Sequence, residues 1–96
     1  MKNKLSRSQI DQELAYLTPY WSIKKSKLVR KFAFSNFLEA IRFTNKIAKV
    51  AEKNKHHPDI HLINYNELVV EIWTHSMRGI NKKDFDLATE IDRVRP

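Results

Sequence analysis

The chain has 96 residues, 42% of them hydrophobic and 30% charged, with a single glycine and no cysteine. That length and composition fit one folded domain spanning 1–96, and they exclude a disordered chain, a disulfide scaffold, thiolate chemistry and cysteine-based zinc sites. Lys and Arg number 18 against 11 Asp and Glu, a formal charge of +7 with a sequence pI near 9.8, which reads first as a solubilising surface and second as an attraction for a polyanion.

The start, Met1-Lys2-Asn3-Lys4-Leu5, is basic but leads into no apolar run, and no stretch is long enough to span a bilayer. A cytoplasmic protein with no membrane partner is expected. From Ser8 to Thr18, Ile10, Leu14 and Leu17 recur at helical spacing, with Ser8 and Asp11 placed as an N-cap pair and Pro19 as the stop. Trp21–Ile23 and Leu28–Phe34 then read as two strands joined across Lys24-Lys25-Ser26-Lys27. Side chains alternate along a strand, so Leu28, Phe32 and Phe34 share one face, with Arg30 expected to snorkel at its edge.

From Asn36 to Lys53 a long amphipathic helix is expected, with Phe37, Ala40, Ile41, Thr44, Ile47, Ala48 and Ala51 inward and Glu39, Arg42, Lys46, Lys49 and Lys53 outward. Asn36 and Glu39 form its capping box, and Asn54 with the following His56-His57-Pro58 ends it. Ile60–Asn64 and Glu67–Thr74 read as a hairpin turning at Tyr65-Asn66, with Leu68, Val70 and Ile72 facing a core. Gly79 is expected to hold a positive φ. Asn81 and Asp84 open a last helix that buries Phe85, Ala88 and Ile91.

The order α-β-β-α-β-β-α predicts an α+β domain, a four-stranded antiparallel sheet with helices packed on one face. Val69 and Trp73 would lie on the open face, where a second copy is the economical cover.

Three imidazoles, His56, His57 and His75, accompany the carboxylates Glu52 and Asp84 and the phenol of Tyr65. Imidazole has an unperturbed pKa of about 6.5 and both gives and takes protons near neutral pH. Glu52 stands four residues before His56, where it either accepts a hydrogen bond from an imidazole or is a solvated charge. Asp84 reads mainly as a favourable charge in the first turn of its helix, and secondarily as a group that orients a catalytic side chain. Pro58 takes His57 out of helical geometry, Tyr65 reads foremost as a packed hairpin aromatic, and His61 is a surface residue.

Taken together, Glu52, His56-His57-Pro58, Tyr65 seven residues after the Pro, His75 ten further on and Asp84 nine beyond that resemble the pterin-4a-carbinolamine dehydratase family. Thr74 before His75, Gly79 and Phe32-Ala33-Phe34 are similar too, so the resemblance runs from about Trp21 to the end. It implies the same one-sided sheet and the dehydration of 4a-hydroxytetrahydrobiopterin, the 4a-carbinolamine, to quinonoid dihydropterin and water in tetrahydrobiopterin recycling. It further implies no metal and no cofactor, His56 and His75 as the proton-transfer pair, and His57, Glu52, Pro58 and Thr74 as substrate-binding residues. Asp84 and Tyr65 would be supporting residues, in a homodimer or homotetramer. Lys55 departs from the pattern, because family members often carry Asp, Asn or Ser there, and a neighbouring cation favours neutral imidazole.

Two other readings compete with the enzyme. No two His share the i, i+4 spacing of a His-Glu-x-x-His helix, which argues against a metal centre. A non-catalytic dimerisation, transcription-factor or nucleic-acid-binding module is the alternative. Its basic residues are spread along the chain rather than interleaved with aromatics, which argues against nucleic acid as a partner.

Overall fold

Alternation with period two along the second and fourth strands builds the centre of the molecule. In the computed structural model, which describes residues 5–17 and 19–95, the strands are β1 (Ser22–Lys24), β2 (Lys27–Ala33), β3 (Asp59–Ile63) and β4 (Glu67–Ile72). They form one antiparallel sheet in the order β1-β2-β4-β3. Leu28 and Phe32 of β2 and Leu68, Val70 and Ile72 of β4 are fully buried on one face. On the other face the ion pairs Lys27–Glu71 and Lys31–Glu67 span neighbouring strands at 3.6 and 3.5 Å.

Three helices cover the buried face: α1 (Arg7–Ala15), α2 (Phe37–Asn54) and α3 (Lys82–Arg93). The expected α+β architecture and element order are those of the structure. The basic run Met1 to Lys4 and the expected helix end at Thr18 lie outside the described residues.

Several local expectations shift. The capping box of α1 is Ser6 with Gln9, not Ser8 with Asp11; two serines stand close together at the start of this helix, and the first of them takes the cap. Within α2 the inward residues are Ala40, Phe43, Ile47, Val50 and Ala51, while Phe37 and Ala48 are exposed and Ile41 and Thr44 half-buried. The helix is therefore rotated from the predicted stripe, so that the ring of Phe43 sits 4.8 Å from that of Phe32 and 5.5 Å from that of Phe34. Asn36 caps α2 by accepting from the N–H of Glu39 at 2.9 Å.

Arg30 does not snorkel. It is 8% exposed, its Nη1 donates to Asp92 at 2.8 Å, and its guanidinium lies between the rings of Tyr20 and Phe32 at 4.4 and 4.2 Å. Asp92 also accepts from the indole of the buried Trp21 at 3.0 Å. Burial pulls the Arg30 guanidinium below its ordinary value, with Asp92 opposing, and its Nε has no hydrogen-bond partner among the described residues.

Gly79 does not take the positive φ. That conformation falls on Lys25, Ser26, Lys55, Asn64, Tyr65 and Arg78. Positive φ at both Lys25 and Ser26 is what a tight two-residue hairpin requires, since it matches the right-handed twist of β1 and β2. Gly79 serves close approach instead: it is buried and pairs with Thr74 through Thr74 N–H to Gly79 O at 2.8 Å and Gly79 N–H to Thr74 O at 3.3 Å.

Candidate active site

The site begins where α2 ends. Lys55 enters the left-handed region, φ 52 and ψ 40, and its N–H closes on the carbonyls of Ala51 and Glu52. The chain leaves the helix axis there, and Pro58 disfavours any return to helix at His57. The two imidazoles consequently diverge. Nε2 of His56 lies 2.5 Å from Oδ1 of Asp84, and Nε2 of His57 lies 2.6 Å from Oε2 of Glu52. Glu52 thus meets His57, one position later than its helical spacing from His56 suggests, because the left-handed turn at Lys55 breaks the i, i+4 register.

Asp84 is fully buried. Its Oδ2 accepts from the Thr74 hydroxyl at 3.0 Å and from the backbone N–H of Asn81 at 2.8 Å, while Asn81 Oδ1 accepts from Lys83 N–H at 2.9 Å. One carboxylate therefore closes the first turn of α3 and holds His56, so both roles offered by the sequence are filled together. With two fixed donors on Oδ2, Asp84 is an acceptor toward His56, and we assign the His56 proton to Nε2, which leaves Nδ1 as the accepting nitrogen.

His75 arrives from the other side. After β4, Thr74 pairs with Gly79 and a single 3-10 turn, His75–Met77, closes at Arg78 in the left-handed region. The imidazole of His75 lies 4.1 Å from the Trp73 ring at 54°. Trp73 is pinned in turn: its indole N–H donates to Asp59 at 3.2 Å, and Nζ of Lys27 stands 5.0 Å from its ring centroid.

These segments enclose one shallow cavity of about 320 Å³, lined by Lys55, His56, His57, Trp73, Thr74, His75, Ser76 and Lys83. All three histidines of the sequence pattern are in that lining. Glu52 and Asp84 reach it through His57 and His56. Pro58 follows His57, is half-buried and is absent from the lining, and Tyr65 does not come near it, standing 63% exposed at the tip of the β3–β4 hairpin. His61 lies on the open sheet face, 3.4 Å from Glu71. A larger groove of about 490 Å³ beside α1 contains no imidazole, and its lining mixes aliphatic residues with Arg7, Asp11, Ser26 and Arg78. Among the described residues no three His, Cys, Asp or Glu side chains are grouped to hold a metal ion, and no helix is long and apolar enough to cross a membrane.

Trp73, Ser76 and Lys83 are cavity residues that sequence reasoning missed. Their only signal was adjacency to Thr74-His75 and to Asp84. Strand alternation put Trp73 on the open face, where it does meet Lys27 and Asp59 of that face, but it gave no sign that the same residue also lines the cavity.

A helix-backed antiparallel sheet with a cavity lined by three imidazoles, one of them held by a buried carboxylate, places the chain in a class of small one-sided α+β proteins. The family model described as pterin 4 alpha carbinolamine dehydratase matches residues 3–94. The chain belongs to that family, whose name is that of a hydro-lyase. A protein of Picosynechococcus sp., provisionally named a pterin-4-alpha-carbinolamine dehydratase, is 43% identical over 98% of this chain and 100% of its own length. One from Sulfolobus acidocaldarius with the same provisional name is 38% identical over 96% and 99%. A crystal structure of a transcriptional coactivator/pterin dehydratase from Brucella melitensis superposes with a TM-score of 0.88 at 28% identity, covering 98% of this chain and 100% of that one. A pterin dehydratase-like protein identified as a RuBisCO assembly factor in the alpha-carboxysome shares the fold, with a TM-score of 0.61 at 18% identity over 76% of this chain and 83% of that one.

Proposed function

We propose that this protein dehydrates a 4a-hydroxytetrahydropterin, with 4a-hydroxytetrahydrobiopterin in tetrahydrobiopterin recycling as the substrate and setting. The reaction breaks the C4a–O bond as the hydroxyl takes a proton and leaves as water. A neighbouring ring nitrogen gives up its proton and forms the C=N bond of the quinonoid dihydropterin, so the electrons balance within the ring. One base and one acid suffice.

In this reading His56 is the base. Asp84 fixes its Nε2–H, so Nδ1 is the nitrogen that receives the proton, and the carboxylate offsets the charge that the ring then carries. His75 is the acid; no hydrogen bond holds its ring among the described residues, which leaves it available to the departing hydroxyl. His57, tied to Glu52, binds the pterin ring, and Pro58 fixes the segment that presents it. Thr74 contributes through its bond to Asp84. General acid and base catalysis of this kind supplies on the order of a hundredfold to ten-thousandfold from each group.

The observation that carries the reading is the convergence of His56, His57 and His75, from two distant segments, on one cavity. Chemically generated carbinolamine mixed with the purified protein tests it: accelerated decay of the carbinolamine absorbance is expected, and decay at the buffer rate would overturn the assignment. A homodimer or homotetramer is part of the proposal, supported by half-buried Val69 and Trp73 and exposed Ile63 on or beside the open sheet face. Sedimentation at monomer mass would remove that part alone.

A further inference from the structure

We propose that the surface formed by α2 and the C-terminal end of α3 binds single-stranded nucleic acid through its phosphates, without sequence preference. Arg42, Lys46, Lys49 and Lys53 succeed one another at intervals of four, three and four residues, so they form a single row of about 16 Å along one side of α2. Glu39 answers Arg42 at 3.4 Å and Glu90 answers Lys53 at 3.7 Å. Between those pairs Lys46 and Lys49 are exposed and have no carboxylate partner among the described residues.

The end of α3 brings Arg93 and Arg95 across to them. These four cations line a groove of about 510 Å³ floored by Val50 and Val94, and its lining contains no carboxylate. Asp92, adjacent in sequence, is committed to Arg30 and Trp21. Spread along the chain, these cations gave no sign of a common site; α2 and α3 pack side by side and gather them.

A basic groove alone would suit any polyanion, and two exposed aromatic rings narrow the choice. Tyr20, 64% exposed, covers the guanidinium of Arg30 beside Phe32, and Arg95 lies 5.8 Å from that same Phe32 ring. Tyr16, 87% exposed, shares a second groove with Arg93. The carboxylates of that second groove are partnered: Glu13 and Asp86 by Lys82, and Glu90 by Lys53. Cations that track a backbone with open aromatic faces beside them are the equipment for unpaired bases, whereas a duplex hides its base faces. A lipid surface would call for protruding apolar side chains, and Val50 and Val94 are recessed.

Fluorescence anisotropy of a labelled deoxythymidine oligomer with the full chain tests this. Four phosphate contacts predict that log K falls with log salt at a slope of about −2.8, a loss of about fiftyfold between 50 and 200 mM. The Lys46→Gln/Lys49→Gln variant should halve that slope and weaken binding about tenfold or more at the lower salt, with carbinolamine dehydration unchanged. Tyr20→Leu, which still covers Arg30, should weaken binding about fivefold or more. The proposal fails if the wild-type chain does not bind the oligomer at 50 mM salt, or if the double variant keeps the full slope. It also fails if a duplex of equal length or phosphatidylglycerol vesicles bind more tightly than the single strand.

Discussion

Nε2 of His56 and Oδ1 of Asp84 are 2.5 Å apart, although 28 residues separate them in the chain, and the second oxygen of Asp84 is held by Thr74 and the backbone of Asn81. The imidazole at the end of α2 is thereby oriented by the first turn of α3. Asp84→Asn keeps the shape of the site but offers Nδ2 donors where His56 and the Thr74 and Asn81 donors require acceptors. Turnover is expected to fall by about tenfold or more with KM little changed. Asp84→Ala should in addition lower stability by about 1–2 kcal/mol, because a buried cap partner is lost. Steady-state kinetics alongside urea unfolding separates the two effects, and an Asn variant with wild-type kcat would remove Asp84 from the mechanism.

The three histidines should divide by kinetic signature. His56→Ala and His75→Ala are each expected to reduce kcat by about tenfold or more, whereas His57→Ala should act mainly by raising KM. His57 and His75 are exposed and His56 is half-buried just past the end of α2, outside any helix or strand, so far-ultraviolet circular dichroism should match that of the parent chain. Wild-type turnover in both of the first two variants is the result that would undo the assignment of roles.

The Trp73 ring lies against the imidazole of His75, with centroids 4.1 Å apart, and so limits how that imidazole can turn. Removing the ring in Trp73→Ala leaves His75 free to rotate, and kcat is expected to drop by about tenfold while Trp73→Phe retains most of it. Steady-state kinetics on both variants checks this, and a Trp73→Ala variant with wild-type kcat would remove Trp73 from the positioning of His75.

Asp92 holds a buried cation. Asp92→Ala leaves the guanidinium of Arg30 and the indole N–H of Trp21 without their acceptor, and should cost about 2–3 kcal/mol, at the lower end for a broken buried pair because Asp92 itself is partly exposed. Arg30→Met removes the cation and its unpartnered Nε together, so it should change stability by less than about 1 kcal/mol. Urea midpoints measured at equal slope check both values.

The sheet was legible because alternation in Leu28 to Phe34 and in Leu68 to Ile72 admits one inward face. The rotation of α2 was not, because its apolar residues populate two adjacent stripes and only contact with Phe32 and Phe34 draws Phe43 inward in place of Phe37. Of the site, the spacing of His56, His57 and His75 was enough to nominate them. What spacing cannot give is partnership between distant segments, so Asp84 was offered as an orienting group without its partner His56, and the place of Trp73 in the cavity was missed. A left-handed Lys55 was equally invisible, since a lone lysine carries no mark of positive φ, and it is this residue that hands Glu52 to His57. Gly79 misled for a related reason: glycine is chosen for lack of a Cβ as often as for freedom of φ, and here the neighbour Arg78 bears the unusual angle.

Asp84 has a bearing on how the molecule would lose its activity. The same carboxylate that seals the opening of α3 also steadies the imidazole proposed as the base, so fraying of that one helical turn would release His56 even while β2 and β4 stay paired. Inactivation is thus tied to the integrity of a single helix terminus, and the chemistry would go silent before the sheet melts.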